Sequence, residues 1–226
     1  MLYGALEAGG TKMICGICKE NGEIVEQTSI PTKTPDETIP KIIDFFRDKG
    51  IVALGIACFG PIDLHPSSET YGYITSTPKI AWQNYPIVPV IRKALSIPIG
   101  FDTDVNGSLL GEVSYGSSRG IENAVYITIG TGIGGGVLSN GKLLHGMLHP
   151  ELGHMALVPH EKDHFGGNCP FHKNCFEGMA SGPAMEARYG KKADKLSDVP
   201  LVWEMEAYYI GQALSNIILT LSPERI

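Results

Sequence analysis

The chain has 226 residues, 43% of them hydrophobic and 19% charged, which leaves room for one large domain or two small ones around a buried core. A net charge of −6 without any basic cluster argues against a nucleic-acid partner. No run approaches the roughly 18 apolar residues of a membrane span, and the opening MLYGALEAGG lacks the form of a signal peptide, so a cytoplasmic protein with no membrane contact is expected.

Residues 2–8 form an apolar run, followed by Gly9-Gly10-Thr11 and an alternating segment, Lys12–Cys18, that reads as a strand. Asn21-Gly22 is a hairpin signal, and Glu23–Thr28 completes a three-strand unit. Cys15 and Cys18 form a CxxC, but residues three apart in a strand point to opposite faces, so small core residues are expected rather than a redox pair. With Cys58, Cys169 and Cys175 the cysteines number five, an odd count that argues against a disulfide framework.

Thr34-Pro35-Asp36-Glu37 marks a helix start, with Thr34 as N-cap, Pro35 at the first position and Glu37 placed for a capping box. Ile39, Ile42, Ile43 and Phe46 then share one face, and Gly50 closes the helix. Ile51–Cys58 reads as a buried strand, 61–82 as a long polar loop of functional character, Ile97–Phe101 as a strand and Val105–Val113 as a helix. Residues 124–144 then repeat the opening pattern: strand, Gly130-Thr131-Gly132-Ile133-Gly134-Gly135-Gly136, short strand, Asn140-Gly141, short strand. A His/Cys-rich loop runs from 150 to Cys175, and helices follow at about 183–189 and 200–221. Alternating strands and helices argue α/β architecture, and the repeat at domain-length spacing argues two similar lobes, 1–118 and 119–226.

Three sets of residues carry chemistry. Gly130–Gly135 formally matches GxGxxG, but a hairpin rather than a helix follows, which counts against a dinucleotide fold and a nicotinamide-dependent oxidoreductase. The Walker loop is absent. Two glycine-rich turns remain whose bare backbone N–H groups can meet phosphates, the alternative being tight turns and nothing more. Asp104 follows a strand, at the sheet edge where open α/β sheets place ligands, and a carboxylate there can take the proton of an attacking hydroxyl. Spacing equally allows Asp102 or Asp104 to be the N-cap of the helix from Val105. Cys169, His172 and Cys175 form CxxHxxC, and His154 upstream completes a tetrahedral zinc set, although spacing leaves His160 and His164 open as the fourth ligand. Four protein ligands make a structural site. The lesser alternative is a hydrolytic zinc with three ligands and Glu151 or Glu177 as base.

Taken in order, Glu7-Ala8-Gly9-Gly10-Thr11-Lys12, Asp102-Thr103-Asp104-Val105-Asn106, Gly130–Gly136, Glu151-Leu152-Gly153-His154 and the loop ending Cys175-Phe176-Glu177 resemble the ROK family of bacterial sugar kinases. Cys58–Leu64 with Tyr71–Lys79 resembles its fructokinase branch, and the likeness covers essentially the whole chain. It implies a two-lobed, actin-like (ribonuclease H-like) ATPase fold with an inserted zinc-binding loop. It implies ATP in the cleft between lobes, with magnesium bridging the phosphates. The ATP contacts would come from Gly9, Gly10, Thr11, Lys12, Gly130, Thr131, Gly132 and Pro223. Asp104 would be the general base, Asn106, Glu151, His154 and Glu177 would lie near the hexose, and His154, Cys169, His172 and Cys175 would hold structural zinc. The expected reaction is phosphorylation of fructose to fructose 6-phosphate by a homodimer. Mannose or glucose as substrate and a non-catalytic sugar sensor are the alternatives, and the sensor reading is weakened because repressors of this type carry a DNA-binding domain before the first loop. The chain departs from the family pattern at Glu7, where many members have Asp, and in the histidine of CxxHxxC. It also reaches Ile226 before the strand, glycine-rich adenosine loop and closing helix of other members, so an incomplete nucleotide site is expected within these residues.

Overall fold

The computed structural model describes residues Met1–Ile226, which separate into two compact units, Met1–Gly111 and Glu112–Ile226. No helix is long and apolar enough to cross a membrane.

The first unit is built on a five-stranded mixed sheet of order β3-β2-β1-β4-β5: β1 (Leu2–Ala8), β2 (Lys12–Lys19), β3 (Ile24–Pro31), β4 (Ile51–Cys58) and β5 (Ile99–Thr103). The first three are antiparallel, while β4 and β5 run parallel to β1. The Asn21-Gly22 signal is realised in the turn between β2 and β3, with Gly22 at φ 84°, where glycine carries no steric cost. Burial alternates along β1, so that Leu6 and Ala8 face a core while Ala5 and Glu7 face outward. On the core side lie α1 (Pro35–Phe46) and α2 (Ile87–Leu95). Ile39, Ile42, Ile43 and Phe46 are all buried, as their helical spacing requires. Each such side chain contributes roughly 1.5–3 kcal/mol by leaving water. Thr34 holds the N-cap position, but its hydroxyl meets the Glu37 carboxylate at 3.2 Å and makes no backbone cap bond.

Helix α2 has no counterpart among the expected elements, because its Ile, Val and Pro content masks the helical period. In the loop before it, Ile74 bridges both Ile62 and Tyr85. The loop is anchored by Trp82, which is fully buried and donates its indole N–H to the Lys33 carbonyl at 2.7 Å. Strand β5 begins and ends two residues later than expected and leads directly into α3 (Asp104–Ser114).

The second unit carries a three-stranded antiparallel sheet of β6 (Ala124–Ile129), β7 (Ile133–Ser139) and β8 (Lys142–Leu143). Its hairpin turn places Asn140 and Gly141 at φ 50° and 70°. Helices α4 (Phe176–Ala180), α5 (Gly182–Tyr189) and α6 (Pro200–Leu221) follow. Ile133, Leu157, Phe176, Met179, Tyr209 and Ala213 form its main core. The last residues return to this sheet: the Arg225 carbonyl accepts from Val125 N, and the Glu224 carboxylate accepts from the backbone of Glu122 and Asn123.

Candidate active site and metal centre

In the first unit, strand register assembles the site. Glu7 pairs with Ala57 and Ala57 with Asp102, so these three residues share one row and one face of the sheet. Ala8, Cys58 and Thr103 form the next row, facing the other side. Helix α3 packs over the Ala57 row through Gly107, where an added Cβ would come within 2.4 Å of the Ala57 Cβ. The close approach sets Asp104 and Asn106 beside the carboxyl ends of the parallel strands. Asn106 is fully buried and donates its side-chain N–H to Asp102 Oδ1 at 2.7 Å. At the start of α3 the Thr103 hydroxyl accepts from Asn106 N at 3.3 Å, as an N-cap does. Asp102 Oδ1 thus holds the Asn106 side chain, and Asp104 Oδ1 accepts from Val105 N at 2.9 Å. The Asp104 charge adds to the burial that drives the Cys58 thiol far above its usual range.

The first glycine turn lies at the end of β1. Gly9 N donates to the Lys12 carbonyl, and a Cβ on Gly9 would stand only 2.6 Å from that oxygen, so the turn admits no side chain there. The Thr32 hydroxyl donates to the Gly9 carbonyl at 2.7 Å and steadies the turn, while Glu7, Thr11 and Lys12 are exposed around it. The Lys79 stem runs past Gly10, 3.2 Å from where a Cβ would be. The CxxC is split as strand alternation requires, with Cys15 buried and Cys18 half-buried, and burial pushes the Cys15 thiol up to about 12.

In the second unit, a short β-bridge brings the metal-type ligands together. Phe176 N donates to Met155 O and Leu157 N to Asn174 O, which places His154 beside Cys175. A tight turn closed by Lys173 N to Cys169 O brings in Cys169 and His172. One donor atom from each of His154, Cys169, His172 and Cys175 falls within 4.8 Å of every other. His154 Nδ1 is 3.5 Å from Cys175 Sγ and 3.9 Å from Cys169 Sγ, and Cys169 Sγ is 3.8 Å from His172 Nδ1. Bonds of about 2.0–2.3 Å around a tetrahedral ion require edges of about 3.3–3.8 Å, and the three separations of 3.5, 3.8 and 3.9 Å lie within or just beyond that range. His160 and His164 stand outside the set. His160 instead packs edge-on against Tyr208. In the bare thiol form, burial pushes Cys175 up to about 11, with Cys169 and the Glu177 charge adding to the rise.

The second glycine loop abuts this cluster. Gly182 N donates to Gly130 O at 2.8 Å, and Glu177 Oε2 accepts from Ile133 N at 3.0 Å. Glu151, exposed, precedes the 3-10 turn Leu152–His154, and its carbonyl accepts from His154 N. Gly130 and Thr131 are exposed, and Pro223 is half-buried just before the bridge to β6. The first unit therefore gathers Gly9–Lys12, Asp104 and Asn106, and the second gathers Gly130–Gly132, His154, Glu177 and the Cys/His set. The Asp102–Asn106 and Glu177–Ile133 bonds have no signature in spacing.

A family model described as ROK family matches residues 3–226. A fructokinase of Lactococcus lactis subsp. cremoris is 48% identical over 225 residues, covering 99% of this chain and 77% of the relative. A fructokinase of Streptococcus mutans serotype c is 46% identical over 230 residues, covering 100% and 78%. Among solved structures, a ROK hexokinase from Thermus thermophilus superposes with a TM-score of 0.79 at 27% identity, over 99% of this chain and 79% of that one.

Proposed function

This chain belongs to the ROK family, and on that basis we propose that it transfers the γ-phosphoryl group of ATP to D-fructose, giving fructose 6-phosphate. The observation that carries the reading is the similarity to two fructokinases at 46–48% identity over 99–100% of the chain. Asp104 acts as general base on the attacking sugar hydroxyl. Asn106, held by Asp102, is the sugar contact of the first unit, and Glu151, His154 and Glu177 are the sugar contacts of the second. The N–H groups of Gly9–Lys12 and of Gly130–Gly132 receive the phosphates, and Pro223 lies toward the adenosine. Glu7, exposed two residues before the first loop, is a carboxylate suited to magnesium, which would neutralise phosphate charge.

His154, Cys169, His172 and Cys175 hold structural zinc. Their donor spacing fits it, and four protein ligands leave no open position, which disfavours the hydrolytic alternative. The strand order of the first unit supports the actin-like reading of the fold, with one lobe from each unit. Family membership supports a cytoplasmic homodimer.

The test is a coupled assay for ADP release by the full-length protein with ATP, magnesium and fructose, mannose, glucose or N-acetylglucosamine. Turnover highest with fructose is expected. Highest turnover with mannose or glucose would correct the substrate. No turnover with any of them, by folded and zinc-loaded protein, would refute the kinase.

A further inference from the structure

Ile133, the first residue of β7, is held on both sides of its backbone. Its N–H donates to Glu177 Oε2 at 3.0 Å. Its carbonyl lies so close to Gly153 that a Cβ there would come within 1.8 Å of the oxygen. The side chain is buried against Leu157, Phe176 and Met179. Gly132, next to it in the loop, sits so near the same carboxylate that a Cβ would stand 2.8 Å from Glu177 Oε2.

The two groups that hold Ile133 come from the segments that present metal ligands. Gly153 directly precedes His154 in the 3-10 turn. Glu177 is two residues after Cys175, whose Sγ caps α4 by accepting from Gly178 N at 3.4 Å. The Cys/His cluster thus fixes the spacing of two jaws, and the second glycine loop lies between them. The third anchor, Gly182 N to Gly130 O, comes from α5, which carries no ligand.

We infer that Glu177 is a positioning residue for the second phosphate loop, and that through it the metal cluster governs nucleotide affinity. This inference rests on the kinase reading for the identity of the ligand, a nucleoside diphosphate or triphosphate. It divides the carboxylate: Oε2 belongs to the loop, and Oε1 is the oxygen a sugar hydroxyl would use. A loop whose N–H groups must converge on phosphates binds better when it is ordered beforehand, since the cost of ordering is then not drawn from binding.

The test measures ADP binding by calorimetry without sugar, on full-length zinc-loaded protein and its Glu177→Ala, Glu177→Gln and Gly132→Ala variants. Hydrogen exchange of residues 130–135 is followed in parallel. Glu177→Ala is expected to weaken ADP binding about tenfold, equivalent to about 1.4 kcal/mol, and to speed exchange at Ile133. Glu177→Gln keeps a carbonyl acceptor and should stay within about threefold of wild type. Gly132→Ala displaces the carboxylate and should resemble Glu177→Ala. Chelating zinc from wild type should weaken ADP binding to a similar degree and add little in Glu177→Ala, because both act through one bond. Unchanged ADP affinity and unchanged exchange in Glu177→Ala, with only sugar binding lost, would overturn the inference and leave the kinase reading intact. Absence of ADP binding and turnover in wild type would refute the kinase reading. Faster Ile133 exchange in Glu177→Ala would in that case still uphold the positioning role.

Discussion

Glu206 on α6 offers a quantitative check on the packing of the second unit. The residue is 5% exposed, and its Oε2 has no hydrogen-bond partner. Burial pushes its carboxyl up to about 7 from 4.5, opposed in part by the attraction of Arg188. Arg188 also pairs with Asp163 at 3.2 Å and stacks over Phe165 and Tyr209. The folded state therefore holds the Glu206 proton more tightly than the unfolded chain. Between pH 4.5 and 7 the folded state binds more protons, so stability falls as pH rises through that window and levels off above it. At about 1.4 kcal/mol per pH unit, the whole window is worth up to about 3 kcal/mol. Glu206→Gln is neutral at every pH. It should be more stable than wild type by less than about 1 kcal/mol at pH 5, a gap widening to about 3 kcal/mol at pH 8. Urea unfolding of both proteins across this range, on zinc-loaded samples, gives the difference directly, and the pH response of the metal ligands cancels between them. A gap that stays constant from pH 5 to 8, or that widens in favour of wild type, would refute the burial of an uncompensated carboxylate here.

Two further outcomes follow from the site. Asp104→Asn keeps an oxygen to accept from Val105 N, so the start of α3 should hold; kcat should fall by about 10²–10⁴-fold with sugar binding little changed. Near-normal kcat in the coupled assay would place the proton acceptor elsewhere. Purified protein should carry about one zinc per chain, and a chelator should speed hydrogen exchange across residues 154–176. Metal analysis finding no zinc would remove the structural site from the proposal.

Much of this protein is written in local sequence. The Ile39–Phe46 face, the strand Ile51–Cys58, the two Asn-Gly hairpins and the helices at 182–189 and 200–221 follow from side-chain period and turn chemistry, which act over a few residues. The ordered motifs, read as a set, also identify the family, because each glycine turn or acidic residue matches a pattern that survives without knowledge of the fold. Helix α2 was hidden for the converse reason: its β-branched residues and Pro89 are poor local helix signals, and burial of Ile87, Val88 and Ile91 against the sheet overrides them.

Tertiary structure alone decided the rest. Whether Thr103 or a neighbouring aspartate caps α3 depends on a single bond to Asn106 N. His154 is preferred to His160 and His164 because the bridge between 155–157 and 174–176 brings it to Cys175, and sequence distance carries no trace of that pairing. Glu7 and Asp102 share a face only because β1, β4 and β5 pair in one register. The bond between Glu177 and Ile133 spans 44 residues. Such contacts are set by how packed elements meet, a property of the assembled chain that local pattern does not encode.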